Sequence, residues 1–144
     1  MPVPKFRDDG WLPIGHHRAE WEEISVRFGG KPESRRADLM ANLLELRQAL
    51  RAAEVSGTIL LDGSYISDKT EPGDFDALLI GPADLQMRKD AEPSLASLLD
   101  AGTAEAQGYS LFFIAEDSPA RELLSTLWDY SKEGVPKGIV ELTL

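Results

Sequence analysis

The sequence predicts an α/β (α+β) domain in which helices flank a mixed β-sheet. Two patterns predict this fold class: apolar residues that recur every three or four positions, as in helices, and short continuous apolar runs, as in buried strands. They follow one another in the order helix, helix, strand, strand, helix, strand, helix, strand. With 144 residues the chain is long enough for a real hydrophobic core, and we expect one domain over 1–144.

The first third of the chain predicts an extended arm and two helices. Prolines and glycines interrupt any regular pattern in residues 1–17, which favours an extended N-terminal arm. A short amphipathic helix is predicted from Arg18 to Phe28, and Gly29 and Gly30 end it. A longer helix is predicted between Ser34 and Glu54, where Ser34 can cap the N-terminus and Gly57 follows the C-terminus. Its apolar stripe consists of Leu39, Leu43, Leu46, Leu50 and Ala53.

The rest of the chain predicts four strands and two helices. Each predicted strand is a run of apolar residues, and Pro93 and Pro119 suit the first turn of a helix. The predicted strands are 58–61, 75–80, 109–115 and 138–142, and the predicted helices are 93–101 and 118–128.

Composition narrows the range of functions. The formal net charge is −10, which disfavours an extended nucleic-acid interface because phosphate contacts require clustered Lys and Arg. There is no cysteine, so disulfides and thiolate metal sites are excluded. No apolar stretch of 18 residues occurs, so we expect a cytoplasmic protein without membrane contact. A small anionic substrate remains compatible with the net charge, because metal ions can neutralise a local site.

The segment Asp74–Phe75–Asp76 is the strongest candidate for chemistry. Residues i and i+2 of a strand point to the same face, so Asp74 and Asp76 are predicted to lie side by side while Phe75 packs on the other face. Two neighbouring carboxylates repel each other unless a divalent cation lies between them. Mg²⁺ (or Mn²⁺) is the expected ion, since Mg²⁺ is bound by one or two carboxylates together with phosphate oxygens.

A second candidate feature is the turn Gly63–Ser64, which directly follows the predicted strand 58–61 and Asp62. Glycine allows the backbone to approach a ligand closely, and such a turn can present N–H groups and a hydroxyl to phosphate. An apolar strand, Gly-Ser, a spacer of nine residues and then Asp-x-Asp in a second strand resemble the signature of the nucleotidyltransferase superfamily, which has the DNA polymerase beta-like fold.

The resemblance extends over most of the chain, to a family of small, uncharacterised bacterial proteins within that superfamily. The passages that carry it are Leu12–His16, Trp21–Glu23, Arg27–Gly29, Arg35–Arg36, Asp62–Ser64, Lys69–Asp76 and Pro136–Ile139.

This resemblance implies transfer of a nucleoside monophosphate from a nucleoside triphosphate such as ATP to a hydroxyl of a protein or small molecule. It implies that Asp74 and Asp76 ligate Mg²⁺ and that Gly63 and Ser64 hold the β- and γ-phosphates. Lys69 is either a cation for the leaving pyrophosphate or a solvated loop lysine. Minimal members of the superfamily often work beside a protein partner in toxin–antitoxin or defence modules, so we also expect a protein partner.

One departure from the superfamily pattern concerns a third carboxylate, which active members usually carry in the next core strand. The strand predicted at 109–115 contains no acid, and Ser110 takes that place. Glu116, Asp117 and Asp62 are the possible substitutes. The alternative hypothesis is therefore a catalytically weak or inactive member that acts as a partner-binding antitoxin or regulatory module.

The remaining polar candidates have simpler explanations. His16 and His17 face opposite ways on an extended segment, and the chain has no cysteine or third histidine to complete a metal site, so we expect structural or surface roles. Arg35 and Arg36 are expected to be solvated or paired with the many acids rather than to bind phosphate. Packing roles are expected for Trp11, Trp21 and Trp128.

Overall fold

The computed structural model describes residues 3–144, and it confirms the predicted fold class, a mixed sheet with helices. None of the helices in this range is long and apolar enough to cross a membrane. The strands are β1 (Gly15–Arg18), β2 (Thr58–Asp62), β3 (Asp76–Gly81), β4 (Ser110–Ala115) and β5 (Gly138–Thr143). The helices are α1 (Trp21–Phe28), α2 (Arg35–Ala52), α3 (Leu85–Ala91), α4 (Pro93–Leu98), α5 (Ala101–Gln107) and α6 (Arg121–Trp128), with one 3-10 turn at Ser64–Ile66.

The five strands form one sheet in the order β1-β5-β2-β3-β4. β2 lies at the centre and runs antiparallel to both β5 and β3. The outer pairs β1–β5 and β3–β4 are parallel. A two-residue slip in any pair would change which residues stand side by side, so this register determines the layout of the candidate site.

The N-terminal arm ends earlier than the sequence predicts. Residues 15–17 of the predicted arm belong to β1, and α1 begins at Trp21 rather than Arg18. β1 exists because β5 offers it a parallel partner, with His16 beside Ile139 and Arg18 beside Glu141. A four-residue strand of polar residues has no apolar periodicity, so its formation depends on a partner more than 100 residues away.

The central helix α2 confirms its prediction to within two residues. Ser34 caps it by accepting a hydrogen bond from the Ala37 N–H. The apolar stripe is fully buried from Leu39 to Leu50 and belongs to the same hydrophobic cluster as the inward-facing residues of the sheet. The predicted helix 93–101 was wrong in extent, because residues 85–107 form three short helices. Non-helical residues such as Glu92 and Asp100 separate one helix from the next.

Aromatic rings connect the end of α1 to the beginnings of two strands. Phe28 lies 6.1 Å from Tyr65, and Tyr65 lies 6.0 Å from Phe75, measured between ring centroids. Phe75 in turn stacks on Tyr109 at 4.7 Å and an interplanar angle of 10°. Because Phe75 and Tyr109 directly precede β3 and β4, this stacking holds the first residues of the two strands at the same level.

Arg36 joins α2 to the loop that follows the 3-10 turn. Its guanidinium donates to the carbonyl oxygens of Tyr65 (2.6 Å), Ser67 (2.7 Å) and Lys69 (2.6 Å), and also to that of Phe28 (3.2 Å). The expectation that Arg36 is solvated or paired with acids was therefore wrong. Its planar fork of donors suits several carbonyl groups at once.

We expect Arg36→Lys to lower the free energy of unfolding by about 2 kcal/mol, because a lysine ammonium cannot reach all of these carbonyl oxygens and leaves some of them unpaired. Urea denaturation followed by circular dichroism measures the change. Arg51→Lys, an exposed substitution near the other end of α2, is the matched control and should change little. Equal stability of the two variants would contradict this role of Arg36.

Candidate functional site

Three polar residues stand in one row across the central strands. Asp62, the last residue of β2, pairs directly with Asp76, the first residue of β3. Asp76 in turn lies beside Ser110, the first residue of β4. Directly paired residues point to the same face of a sheet, so two carboxylates and a hydroxyl project together at one end of the sheet.

The Gly63–Ser64 turn closes this end of the sheet. Gly63 has a φ of +93°, which a residue with a side chain rarely adopts, and a Cβ there would lie 3.4 Å from Asp76 Oδ2. Ser64 begins the 3-10 turn, which is closed by a hydrogen bond from the Ser67 N–H to the Ser64 carbonyl oxygen. The turn is thereby fixed directly against the carboxylate of Asp76.

Asp74 lies outside β3, which begins two residues later. The predicted strand 75–80 also leaves Asp74 outside, so the strand geometry from which a shared face was predicted does not extend to Asp74. Gly73 precedes Asp74, and the Arg35 guanidinium donates to the carbonyl oxygens of Pro72 and Gly73. The segment before β3 is therefore anchored to α2. Arg35 thus binds backbone carbonyl groups, contrary to the expectation that it is solvated or paired with acids.

All five predicted site residues line one cavity of about 760 Å³. Asp74 and Asp76 contribute carboxylates, Gly63 and Ser64 contribute the turn, and Lys69 contributes a cation. The other lining residues are Trp11, Asp62, Ser110, Phe112, Leu127, Trp128, Tyr130, Ser131, Lys132, Glu133 and Lys137. The cavity therefore combines carboxylates, lysines and aromatic side chains.

Asp76 is the electrostatic centre of this cavity. Burial raises the pKa of Asp76, and the negative charges of Asp74 and Asp62 raise that pKa further. A hydrogen bond from the Ser110 hydroxyl and the positive charge of Lys132 act in the opposite direction on the same pKa. The ionised form of Asp76 is thus held in a negative local field, which a cation would relieve.

Asp62 differs from Asp76 because it has a buried counter-ion. The Lys137 ammonium donates to Asp62 Oδ1 and, at 3.1 Å, to the carbonyl oxygen of Trp128. Lys137 is only 2% exposed, and Asp62 is 8% exposed. Burial still raises the pKa of Asp62, with Lys137 opposing that rise. Asp62 is therefore a paired carboxylate rather than a free one.

Of the possible substitutes for a third acid, Glu116 and Asp117 lie far from the cavity and Asp62 lies in it. Glu116 and Asp117 follow the far end of β4, and six residues of strand separate Glu116 from Ser110 by about 20 Å. Their location excludes direct contact with the cavity. Ser110 occupies the position next to Asp76, and Asp62 is the neighbour on the other side.

The two histidines lie away from the cavity lining. His16 Nε2 lies 2.9 Å from Asp129 Oδ1, and His17 Nε2 lies 2.6 Å from the Pro13 carbonyl oxygen. Trp21 is buried and donates to the Thr143 carbonyl oxygen at 2.7 Å, which confirms its packing role. Trp11 and Trp128, by contrast, line the cavity.

Sequence reasoning missed Lys132 and Lys137. Both lie in the connection from α6 to β5. A backbone hydrogen bond between Ser131 and Val135 and a bridge between Tyr130 and Pro136 hold a hairpin-like turn in this connection. Only the insertion of β5 beside β2 brings Lys137 to Asp62. One signal was present in the sequence: a lysine placed directly before an apolar strand, within a passage that carried the resemblance.

The chain belongs to a family of unknown function, DUF6932, whose family model matches residues 4–143. The match includes every strand and helix described above and all residues that line the cavity. No curated protein and no solved structure matches the chain.

We expect Lys137→Met to lower the free energy of unfolding by about 3–5 kcal/mol, because it leaves the buried carboxylate of Asp62 without a counter-ion. The double variant Asp62→Asn/Lys137→Met should recover much of this loss. Urea denaturation of the wild type, both single variants and the double variant gives the coupling energy.

The exposed pair Arg18–Glu141 joins β1 to β5 and provides the matched control for this cycle, since the Arg18 side chain is 76% exposed. Its coupling should stay below about 1 kcal/mol. Additive effects of the Asp62 and Lys137 substitutions would contradict a buried ion pair.

Proposed function

We propose that this protein is a Mg²⁺- or Mn²⁺-dependent nucleotidyltransferase of the cytoplasm, which moves a nucleoside monophosphate from a nucleoside triphosphate to a hydroxyl of a protein or small molecule. One observation carries the proposal: a single cavity contains the Gly63–Ser64 turn, the acids Asp74 and Asp76, and the lysines Lys69 and Lys132. Such a set can bind both the phosphate groups and the cation that accompanies them.

The donor set suits magnesium. Asp74 and Asp76 would hold the ion. Burial raises the pKa of Asp76, and the neighbouring negative charges raise it further; a bound ion would neutralise these charges. Among residues 3–144 no group of three or more His, Asp or Glu side chains is arranged to hold a metal by itself. Mg²⁺ commonly completes its octahedron with water and substrate phosphate oxygens, so two carboxylates suffice. When bound, it would stabilise negative charge on the phosphate oxygens.

The protein's own residues would position the reactants. The Gly63 backbone and the Ser64 hydroxyl would hold the terminal phosphates, and Lys69 and Lys132 would add positive charge beside them. The acceptor oxygen would attack the α-phosphorus, the bond from that phosphorus to the bridging oxygen would break, and pyrophosphate would leave. The acceptor proton would pass to a cavity carboxylate or to solvent.

Ser110 supports a second candidate function. It occupies the place of a third acid, and a serine hydroxyl is a poor proton acceptor. Loss of a general base costs about 10²–10⁴-fold in rate. A nucleotide-binding protein with little or no turnover, which binds a partner as an antitoxin or regulatory module, is therefore the alternative.

We expect radiolabel from α-³²P-ATP to be transferred in the presence of Mg²⁺ or Mn²⁺, either by the protein alone or together with the products of neighbouring genes. Asp74→Asn and Asp76→Asn should reduce transfer at least about 100-fold, because each removes a metal-binding charge. Asp117→Asn, at the far end of β4, is the matched control and should transfer normally.

Retention of transfer by both Asp74→Asn and Asp76→Asn would contradict this site. A wild-type protein that binds nucleotide and forms a tight complex with a neighbouring gene product, yet transfers no label, would favour the binding module.

Asp76→Asn should raise the melting temperature of the metal-free protein by about 2–4 °C, because it removes repulsion from Asp62 and Asp74 while an amide oxygen still accepts from Ser110. Added Mg²⁺ should stabilise the wild type and leave Asp76→Asn unchanged. Differential scanning fluorimetry measures both shifts. Equal stabilisation of the two proteins by Mg²⁺ would place the ion elsewhere.

A further inference from the structure

One side of the cavity is a wall of apolar side chains that residues 3–144 leave open to solvent. We call Phe112, Leu127, Trp128 and Tyr130 the aromatic wall; all four line the cavity. Phe112 is 53% exposed, Leu127 is 60% exposed and Tyr130 is 49% exposed. Large apolar side chains grouped together and exposed beside polar groups are typical of a binding surface.

The wall has a fixed internal geometry. The rings of Phe112 and Trp128 meet edge to face, with centroids 5.9 Å apart and an interplanar angle of 89°. The carbonyl oxygen of Trp128 accepts a hydrogen bond from the buried Lys137 ammonium, which ties the end of α6 to the row of carboxylates. The wall is therefore positioned relative to Asp62 and Asp76, although its outer surface is not covered by the described part of the chain.

The position of Phe112 along the sheet suggests what it binds. Ser110 and Phe112 are two residues apart on β4, so they share a face and lie about 7 Å apart along the strand. Gly63 and Ser64 lie in the opposite direction, beyond the end of β2. Three features thus follow one another in a line: the phosphate-binding turn, the Asp62–Asp76–Ser110 row, and the aromatic wall.

We propose that the aromatic wall is the nucleobase subsite of this cavity, with the base stacked on Phe112. The inference rests on the proposed function, because it places the terminal phosphates at Gly63–Ser64 and the α-phosphate at the carboxylate row. The separation between that row and Phe112 is then spanned by the ribose. Bases stack readily on aromatic side chains because every base has a π-face.

Isothermal titration with Mg²⁺ present separates the base from the phosphates by comparing two probes, ATP and inorganic tripolyphosphate. The wild type should bind ATP at least about tenfold more tightly than tripolyphosphate. Phe112→Leu keeps an apolar side chain of similar length but removes the ring, so it should weaken ATP binding about tenfold and leave tripolyphosphate binding unchanged. Phe112→Trp should restore ATP binding.

Leu123→Ala is the matched control, because Leu123 is 63% exposed on α6 and does not line the cavity. It should bind both probes like the wild type. Circular dichroism of each variant verifies folding, and an unfolded Phe112→Leu leaves the wild-type comparison of the two probes as the deciding measurement.

Equal affinity of the wild type for ATP and tripolyphosphate would overturn the nucleobase subsite, as would a Phe112→Leu variant that loses affinity for both probes by the same factor. Neither result would contradict the proposed function as long as tripolyphosphate binds the wild type and not Asp76→Asn. Unchanged ATP binding by Phe112→Leu, together with loss of label transfer or of a partner complex, would assign the wall to the acceptor or partner. Failure of both probes to bind would end the proposed function and the subsite together.

Discussion

The candidate site depends on the register of the three strands β2, β3 and β4. This register places Asp62, Asp76 and Ser110 side by side. Two adjacent carboxylates repel each other, so positive or hydrogen-bonding groups must offset part of their charge. The buried ammonium of Lys137 pairs with Asp62, and the Ser110 hydroxyl beside Asp76 lowers the pKa of that carboxyl. The charges of Asp76 and Asp74 remain available to a cation. The sheet thus places a carboxylate that is paired with a lysine directly beside one that is not.

The cavity contains a group of lysines although the whole chain is acidic. The formal net charge is −10, and the cavity is lined by three lysines, at positions 69, 132 and 137, beside four acids, at positions 62, 74, 76 and 133. Two of them come from the connection between α6 and β5, which folds over the end of the sheet. Under the proposed function, a triphosphate would therefore meet positive groups in this cavity although the protein as a whole is acidic. Net charge excludes a broad nucleic-acid surface but does not describe a site of this size.

The parts of the fold that the sequence predicts are those that local pattern determines. α2 carries its own cap at Ser34 and an unbroken apolar stripe, and β2 and β3 are continuous apolar runs, so both kinds of element can be recognised without a partner. β1 cannot, because it is polar and depends on β5. The site shows the same division. Gly63–Ser64 and Asp74–Phe75–Asp76 are local motifs, whereas the contact between Lys137 and Asp62 and the four carbonyl groups around Arg36 arise only from tertiary structure.

In the proposed enzyme, a serine at position 110 in place of an acid would affect turnover more than binding. Binding a cation and phosphates requires charge and backbone geometry, and Asp74, Asp76 and the Gly63–Ser64 turn provide both. Turnover also requires removal of the acceptor proton, for which a carboxylate on β4 would be the nearest group. A hydroxyl there lowers the pKa of Asp76, and it avoids a further negative charge in a row that already contains two carboxylates. In the proposed enzyme this arrangement would favour retention of a nucleotide over its rapid conversion. If transfer occurs, an acceptor that brings its own proton-accepting group would compensate for the missing acid.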